Sequence, residues 1–247
     1  MQSPRVARES TPFAEPDSAA ASLLPPYVSP RGLTLCVSLG LVVSALVAWV
    51  AVGVQLAHAR QLHVQLSGAV VEAQALYQVR VTLQIAQAVQ LAAFGLTGLA
   101  FLAWLYRLRV NLRALGVRKL DYARHWSVLG FLVPGLNFVR PYQVMEEVWR
   151  ASEPSVLDPF EWRSATPPRI LTLWWMSFVI AATLELAAFG FVRTAGVDSF
   201  RSLLASGVAI VAGVATGLSA SLAYFVVTRL AAAQAAKRQR LVRARST

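Results

Sequence analysis

The sequence predicts an all-α membrane protein: a four-transmembrane-helix bundle with a cytoplasmic layer holding an interfacial amphipathic helix and a short re-entrant or interfacial segment. Three observations carry this. Of 247 residues, 56% are hydrophobic and only 14% are charged, with mean hydropathy +0.53, whereas a soluble domain carries about 25% charged residues. The charges are missing from four long runs and crowded between them, as repeated crossing of lipid requires. The basic residues fall into alternate connections, which orients the spans.

Residues 1–31 are rich in Pro, Ser and Ala, carry both charge signs and hold no apolar stretch, and read as a disordered N-terminal tail. The hydrophobic region that follows starts too late and runs too long for a cleavable signal peptide. A four-helix membrane domain is expected over 32–230, with spans of about 33–56, 81–106, 170–192 and 202–228. Each exceeds the ~20 residues that a ~30 Å hydrocarbon core demands. Pro167 and Pro168 break the chain ahead of the third span, and Glu185 is the only charge within it. Residues 231–247 read as a basic C-terminal tail. No internal repeat suggests an inverted-repeat transporter.

The cytoplasmic layer is expected over 107–169. The second helix should continue past Tyr106, since no breaker appears before Gly116, a natural C-terminal cap. The apolar run from Trp126 to Val139 is too short to cross and is interrupted by Pro134, Gly135 and Asn137. It is either interfacial or shallowly re-entrant. From Pro141 to Ser152 the pattern is that of an amphipathic helix. Tyr142, Met145, Val148 and Trp149 share one face, which Glu146, Glu147 and Arg150 avoid.

Orientation follows from the 23 basic residues. Nineteen lie before the first span, between spans two and three, or after span four; only Arg60, Arg80, Arg193 and Arg201 lie in the other two connections. This places both termini and the central loop in the cytoplasm of a cell-membrane protein. Six of seven tryptophans, at positions 104, 126, 149, 162, 174 and 175, flank or occupy the same loop, as an aromatic belt at that interface would. A net charge of +11 is then topology and attraction to anionic lipid, not nucleic-acid binding.

The cytoplasmic half carries a recognisable pattern. It reads Trp104-Leu-Tyr-Arg-Leu-Arg-Val-Asn-Leu-Arg-Ala-Leu-Gly116, then Trp126, Phe131-Leu-Val-Pro-Gly-Leu-Asn137, Arg140-Pro-Tyr-Gln-Val-Met-Glu-Glu-Val-Trp-Arg-Ala-Ser152, Pro168 and Leu173-Trp-Trp175. This resembles the bacterial domain of unknown function 4328 family, from the second span to the fourth. Gly130-Phe131-Leu132 departs from the aromatic residues expected before the Val-Pro pair. The resemblance implies a small multi-pass membrane protein and brings no reaction with it.

Four groups of residues are candidates for function. Glu185 lies deep in the third span, at the depth where Gln84, Gln87 and Gln90 recur on the second. A hydrogen bond from Glu185 to Gln87 or a neighbour is expected, either as polar glue between helices or as part of a proton or cation path. Small residues at four-residue spacing, Cys36, Gly40, Ser44 and Ala48 on one helix and Ala205, Ala209, Gly213, Gly217 and Ser221 on another, serve either internal packing or a homodimer seam. Arg109, Asn111, Arg113, Asn137, Arg140, Gln143 and Glu146 could converge as a surface for a lipid headgroup or partner, or could fix the layer to the second helix. The basic groups Arg107–Arg124 and Lys237–Arg245 suit an anionic inner leaflet, with an acidic partner as the alternative.

Other chemistries find no support. His58, His63 and His125 have no metal-ligand spacing. There is no HExxH and no phosphate-binding glycine loop. Ser219 and Ser221 lack an intramembrane His, and the spans hold no carboxylate pair. Cys36 is the single cysteine, so no intrachain disulfide forms. The expectation is a non-enzymatic scaffold or partner subunit without a cofactor, and the alternative is a small transporter or channel subunit using Glu185.

Overall fold

The computed structural model describes residues 26–68, 72–195 and 199–246. In chain order they form α1 (Arg31–Leu66), α2 (Ala73–Ala114), α3 (Trp126–Leu132), α4 (Arg140–Ala151), α5 (Arg169–Ala195) and α6 (Ser199–Ser246), with 3-10 turns at Leu136–Phe138 and Glu161–Ser164. No strand occurs among the described residues. The four long helices α1, α2, α5 and α6 are each long and apolar enough to cross a membrane. The chain is a multi-pass membrane protein, and outward-facing Leu39, Leu46, Leu91, Leu99, Leu186 and Leu218 are the residues that lipid would cover.

The helices form an arc in the order α2, α1, α6, α5. Small residues let α1 lie close to both its neighbours. A Cβ on Gly40 would run into Thr97 Oγ1 on α2, and one on Gly213 would come within 2.7 Å of Val52 Cγ2 on α1. At Gly217 the obstacle is the Trp49 ring, at 2.9 Å. Ser44 and Ala48 are buried between the same helices. Gly40, Gly213 and Gly217 therefore face neighbouring helices of the same chain, the arrangement that internal packing requires. Cys36 points outward.

At the ends of the arc, α2 and α5 meet through rings rather than through close backbones. Phe94 stacks on Phe178 at 6.5 Å and Phe101 lies 5.9 Å from Trp174. On the basic side α3 wedges into this gap: Phe131 contacts Phe101 at 5.7 Å and Trp175 at 6.3 Å, and Trp175 Nε1 donates to the Phe138 carbonyl at 3.0 Å. The wedge is short because Pro134 forces Val133 into an extended conformation (ψ 116°) and Gly135 turns the chain at φ +81°. Leu132, Phe138 and Val139 on its outer surface remain exposed, an apolar edge suited to the bilayer boundary.

Three helices run beyond the spans read from hydropathy. α1 continues to Leu66, and α2 starts at Ala73 and ends at Ala114. The α2 end is a Schellman motif: Gly116 sits at φ +80°, its N–H bonds the Arg113 carbonyl, the Val117 N–H bonds that of Leu112, and Leu112 and Val117 are buried together. The C-terminal stretch, expected as a tail, is instead helix: α6 runs unbroken for 48 residues to Ser246. It does so because an inward face continues past the span, with Leu230, Gln234 and Lys237 buried at helical spacing. Of the expected N-terminal tail, residues 1–25 lie outside the described residues, whereas Tyr27 and Val28 dock on the basic side.

Candidate functional site

A folded cap on the basic side gathers most of the polar residues expected to carry function. α4 forms its centre. Pro141 occupies the first turn of α4, and the Ser152 N–H closes its end on the carbonyls of Val148 and Trp149. Its apolar face, expected on the membrane surface, packs into the protein: Val144, Met145 and Val148 are fully buried beside Leu105, Leu108 and Leu112 of α2. The tryptophans correct another expectation. Trp104, Trp149, Trp162, Trp174 and Trp175 are buried in this core and form no exposed aromatic belt. Their indole N–H groups are satisfied inside the protein: Trp104 Nε1 donates to Thr34 Oγ1 and Trp162 Nε1 to the Arg118 carbonyl, both at 3.0 Å.

Two polar networks tie the cap together. In the first, Arg109 on α2 pairs with Glu147 on α4 at 3.1 Å, with their side chains 4% and 3% exposed. Arg109 Nη2 also donates to the Tyr122 carbonyl, while Glu147 Oε1 accepts the backbone N–H groups of Asp121 and Tyr122. Burial pushes the Glu147 carboxyl above the ordinary carboxylate range, and Arg109 and the two N–H donors pull it back. Arg163 holds the same loop from outside through Asp121.

The second network joins four segments. Asn111 is fully buried; its Nδ2 donates to the Val28 carbonyl at 2.9 Å and to Gln234 Oε1 at 3.1 Å, and its Oδ1 accepts the Val28 N–H at 3.2 Å. Gln234 Nε2 donates to the Leu108 carbonyl at 3.1 Å and to Ser152 Oγ at 3.4 Å. One turn on, Lys237 is 1% exposed and donates to the Ala151 carbonyl at 2.9 Å. The extended N-terminal segment, α2, α4 and α6 are thus locked by amides and one ammonium.

The seven residues read as one block therefore separate. Arg109 and Asn111 enter different networks. Arg113 is exposed. Arg140 lies over the rings of Tyr122 and Trp126 at 5.3 and 5.5 Å and donates to Gln143 Oε1 at 3.1 Å. Glu146 pairs with Arg150 at 2.5 Å, one turn along α4, and Asn137 Oδ1 is enclosed without a hydrogen-bond donor. Glu147, Gln234 and Tyr27 are not among the candidates read from the sequence, and Lys237 is there only as one of the basic group Lys237–Arg245. Their signals existed: Glu147 stands beside an apolar stripe, and Gln234 and Lys237 extend the stripe of Val227 and Leu230 at helical spacing.

Glu185 has a different partner from the one expected. Thr216 Oγ1 of α6 donates to Glu185 Oε1 at 3.0 Å. Gln84 and Gln87 are exposed, and the Oε1 of half-buried Gln90 is enclosed without a partner. Glu185 and Gln87 each stand seven residues from the stacked pair, Phe178 and Phe94, on the side away from the cap. Two helical turns place both about 10 Å beyond that stack, on the side away from α3. Glu185 is exposed at this level. Among the described residues no cluster of His, Cys, Asp or Glu has metal-binding geometry.

Four spanning helices and a packed basic cap define a multi-pass membrane protein with one elaborated side. The chain belongs to the family described as Domain of unknown function (DUF4328), whose model matches residues 67–232. That segment contains α2 to α5, most of α6 and the Arg109–Glu147 network, but neither α1 nor Gln234 and Lys237. No curated protein and no solved structure matches the chain.

Proposed function

We propose that this protein is a non-enzymatic scaffold or partner subunit of the cell membrane, with its basic cap in the cytoplasm as a rigid, positively charged platform. The observation that carries this is the division of labour among the cap's polar groups. Arg109, Asn111, Glu147, Gln234 and Lys237 are consumed by internal bonds, while Arg113, Arg118, Arg124 and Arg229 face outward. A fixed array of cations suits recognition of an acidic membrane partner, where charge sets encounter and register. The positive-inside bias supports the cytoplasmic orientation.

The test places a photo-crosslinking residue at Arg113, Arg118 or Arg124 in living cells. A discrete adduct with one membrane protein, lost in Arg118→Glu, is the expected result. No adduct from any of the three positions, or a reporter fused after Thr247 found outside the membrane, would overturn the proposal. A second reading is favoured by one observation: an exposed carboxyl, Glu185, lies deep in a spanning helix and is bonded to Thr216 of the neighbouring one. This reading makes the chain a transporter or channel subunit. Proton or cation flux through reconstituted vesicles, abolished by Glu185→Gln, would establish it and remove the scaffold reading.

A further inference from the structure

We propose that the seam between α1 and α6 on the basic side binds one anionic glycerophospholipid, its phosphate among Arg31, Arg238 and Arg243 and an acyl chain running toward Tyr224. The site is independent of the scaffold reading, since it requires only that the four helices span a bilayer.

Two adjoining open cavities, of about 390 and 400 Å³, share Tyr27, Ser29, Arg31 and Ala235. One is lined at its far end by Arg238 and Arg243; the other continues along the helices past Leu35 and Ala232 to Ser38 and Tyr224. The trough is therefore cationic at one end and largely apolar at the other. Its axis follows the helices from the basic boundary into the spans, the direction a lipid takes.

The sequence makes the trough. Ala231, Ala232 and Ala235 offer no side chain beyond Cβ, so α6 leaves open space beside the first turns of α1. The cations are positioned: Arg238 lies 4.4 Å above the Tyr27 ring. Burial pushes the Tyr27 phenol up while Arg238 and Arg31 oppose the shift, so both guanidinium groups act on one place. Among the described residues, the carboxylates in ion pairs are Glu147, Glu146 and Asp121, all with other arginines. Among the described residues, Arg31, Arg238 and Arg243 thus offer three positive charges without a carboxylate in an ion pair with them. Basic pockets between transmembrane helices at such a boundary suit anionic headgroups, each cation adding attraction at the surface. A soluble phosphate would use the cationic end alone; the apolar continuation selects a lipid.

The full chain, purified in a neutral detergent, is titrated with phosphatidylglycerol and with phosphatidylcholine and read by native mass spectrometry. One phosphatidylglycerol per chain should be retained in preference to phosphatidylcholine. Replacing Arg31, Arg238 and Arg243 together with Gln should weaken retention on the order of a hundredfold. Ala235→Trp, which fills the trough and keeps every charge, should also abolish it. The same triple replacement at Arg113, Arg118 and Arg124 should leave it unchanged. Equal retention of the two lipids, equal loss in the control triple, or full retention in Ala235→Trp would each overturn the proposal. A photo-crosslinker at Val242 in the otherwise native chain keeps the test independent of folding defects. It should capture lipid; capture of residues 1–25 of the same chain would show that the trough has another occupant.

Discussion

Arg109→Ala should be among the most destabilising single substitutions in the cap. Arg109 and Glu147 lie at 3.1 Å with both side chains almost wholly enclosed. Removing the guanidinium leaves a buried carboxylate without its cation, and the Tyr122 carbonyl without its donor. Breaking such a pair costs about 3 to 5 kcal/mol. Replacing both partners by apolar residues, Arg109→Met with Glu147→Leu, should cost less. That double variant buries no lone charge; it strands the N–H groups of Asp121 and Tyr122, at about 1 to 3 kcal/mol for each group that water cannot reach, and Asp121 lies at the exposed surface. The pH dependence has a definite sign. In Arg109→Ala the Glu147 carboxyl, already raised by burial from 4.5, loses the charge that lowered it. A carboxyl raised in the folded state stabilises that state below its unfolded value, and the contribution is lost as pH rises through the folded value. The deficit of Arg109→Ala should therefore shrink as pH falls from 7.5 toward 4.5. Thermal or denaturant unfolding in detergent, followed by tryptophan fluorescence, reports directly on the cap, because five tryptophans are buried in its core. A loss below about 1 kcal/mol for the single variant, or a double variant worse than the single, would refute the reasoning.

Other substitutions probe separate features. Asn111→Ala leaves Gln234 Oε1 and both backbone groups of Val28 without their partner and should cost about 1 to 3 kcal/mol, read in the same unfolding assay. Gly213→Val would drive its side chain into Val52; an overpacking loss of about 1 to 3 kcal/mol is expected, and unchanged stability would show that α1 and α6 can separate freely. Gly116→Ala meets no neighbour but must hold φ +80°, so it should destabilise by about 1 kcal/mol through backbone strain alone. Lys237→Ala strands the Ala151 carbonyl, and amide exchange across α4 should quicken while the spans keep their protection.

The four spans were legible because lipid imposes one requirement, a long uncharged run, which any sequence must display locally. The α2 extension was legible for a similar reason: Gly116 is a punctuation mark within a few residues of the helix it ends. What could not be read were the partners. Glu146 and Glu147 are adjacent, and only the rotation of α4 against α2 decides which one meets Arg109. The tryptophans looked like a belt because position relative to a span is visible in sequence, whereas the core that the cap packs around them is not. Counting residues sets Glu185 level with Gln87, but the donor that meets its carboxylate is Thr216 of α6. Depth is a one-dimensional property; neighbours around an arc are not.

The 48-residue α6 also imposes an order on assembly. The cap lies between the second and third spans, yet the amide of Gln234 and the ammonium of Lys237 fill its floor. During synthesis the cap emerges before these residues do. Until α6 is inserted and its end has folded back along α2 and α4, the carbonyls of Leu108 and Ala151 lack those donors, and the amide of Asn111 lacks Gln234. The floor of the cap can therefore close only once the last helix has reached it.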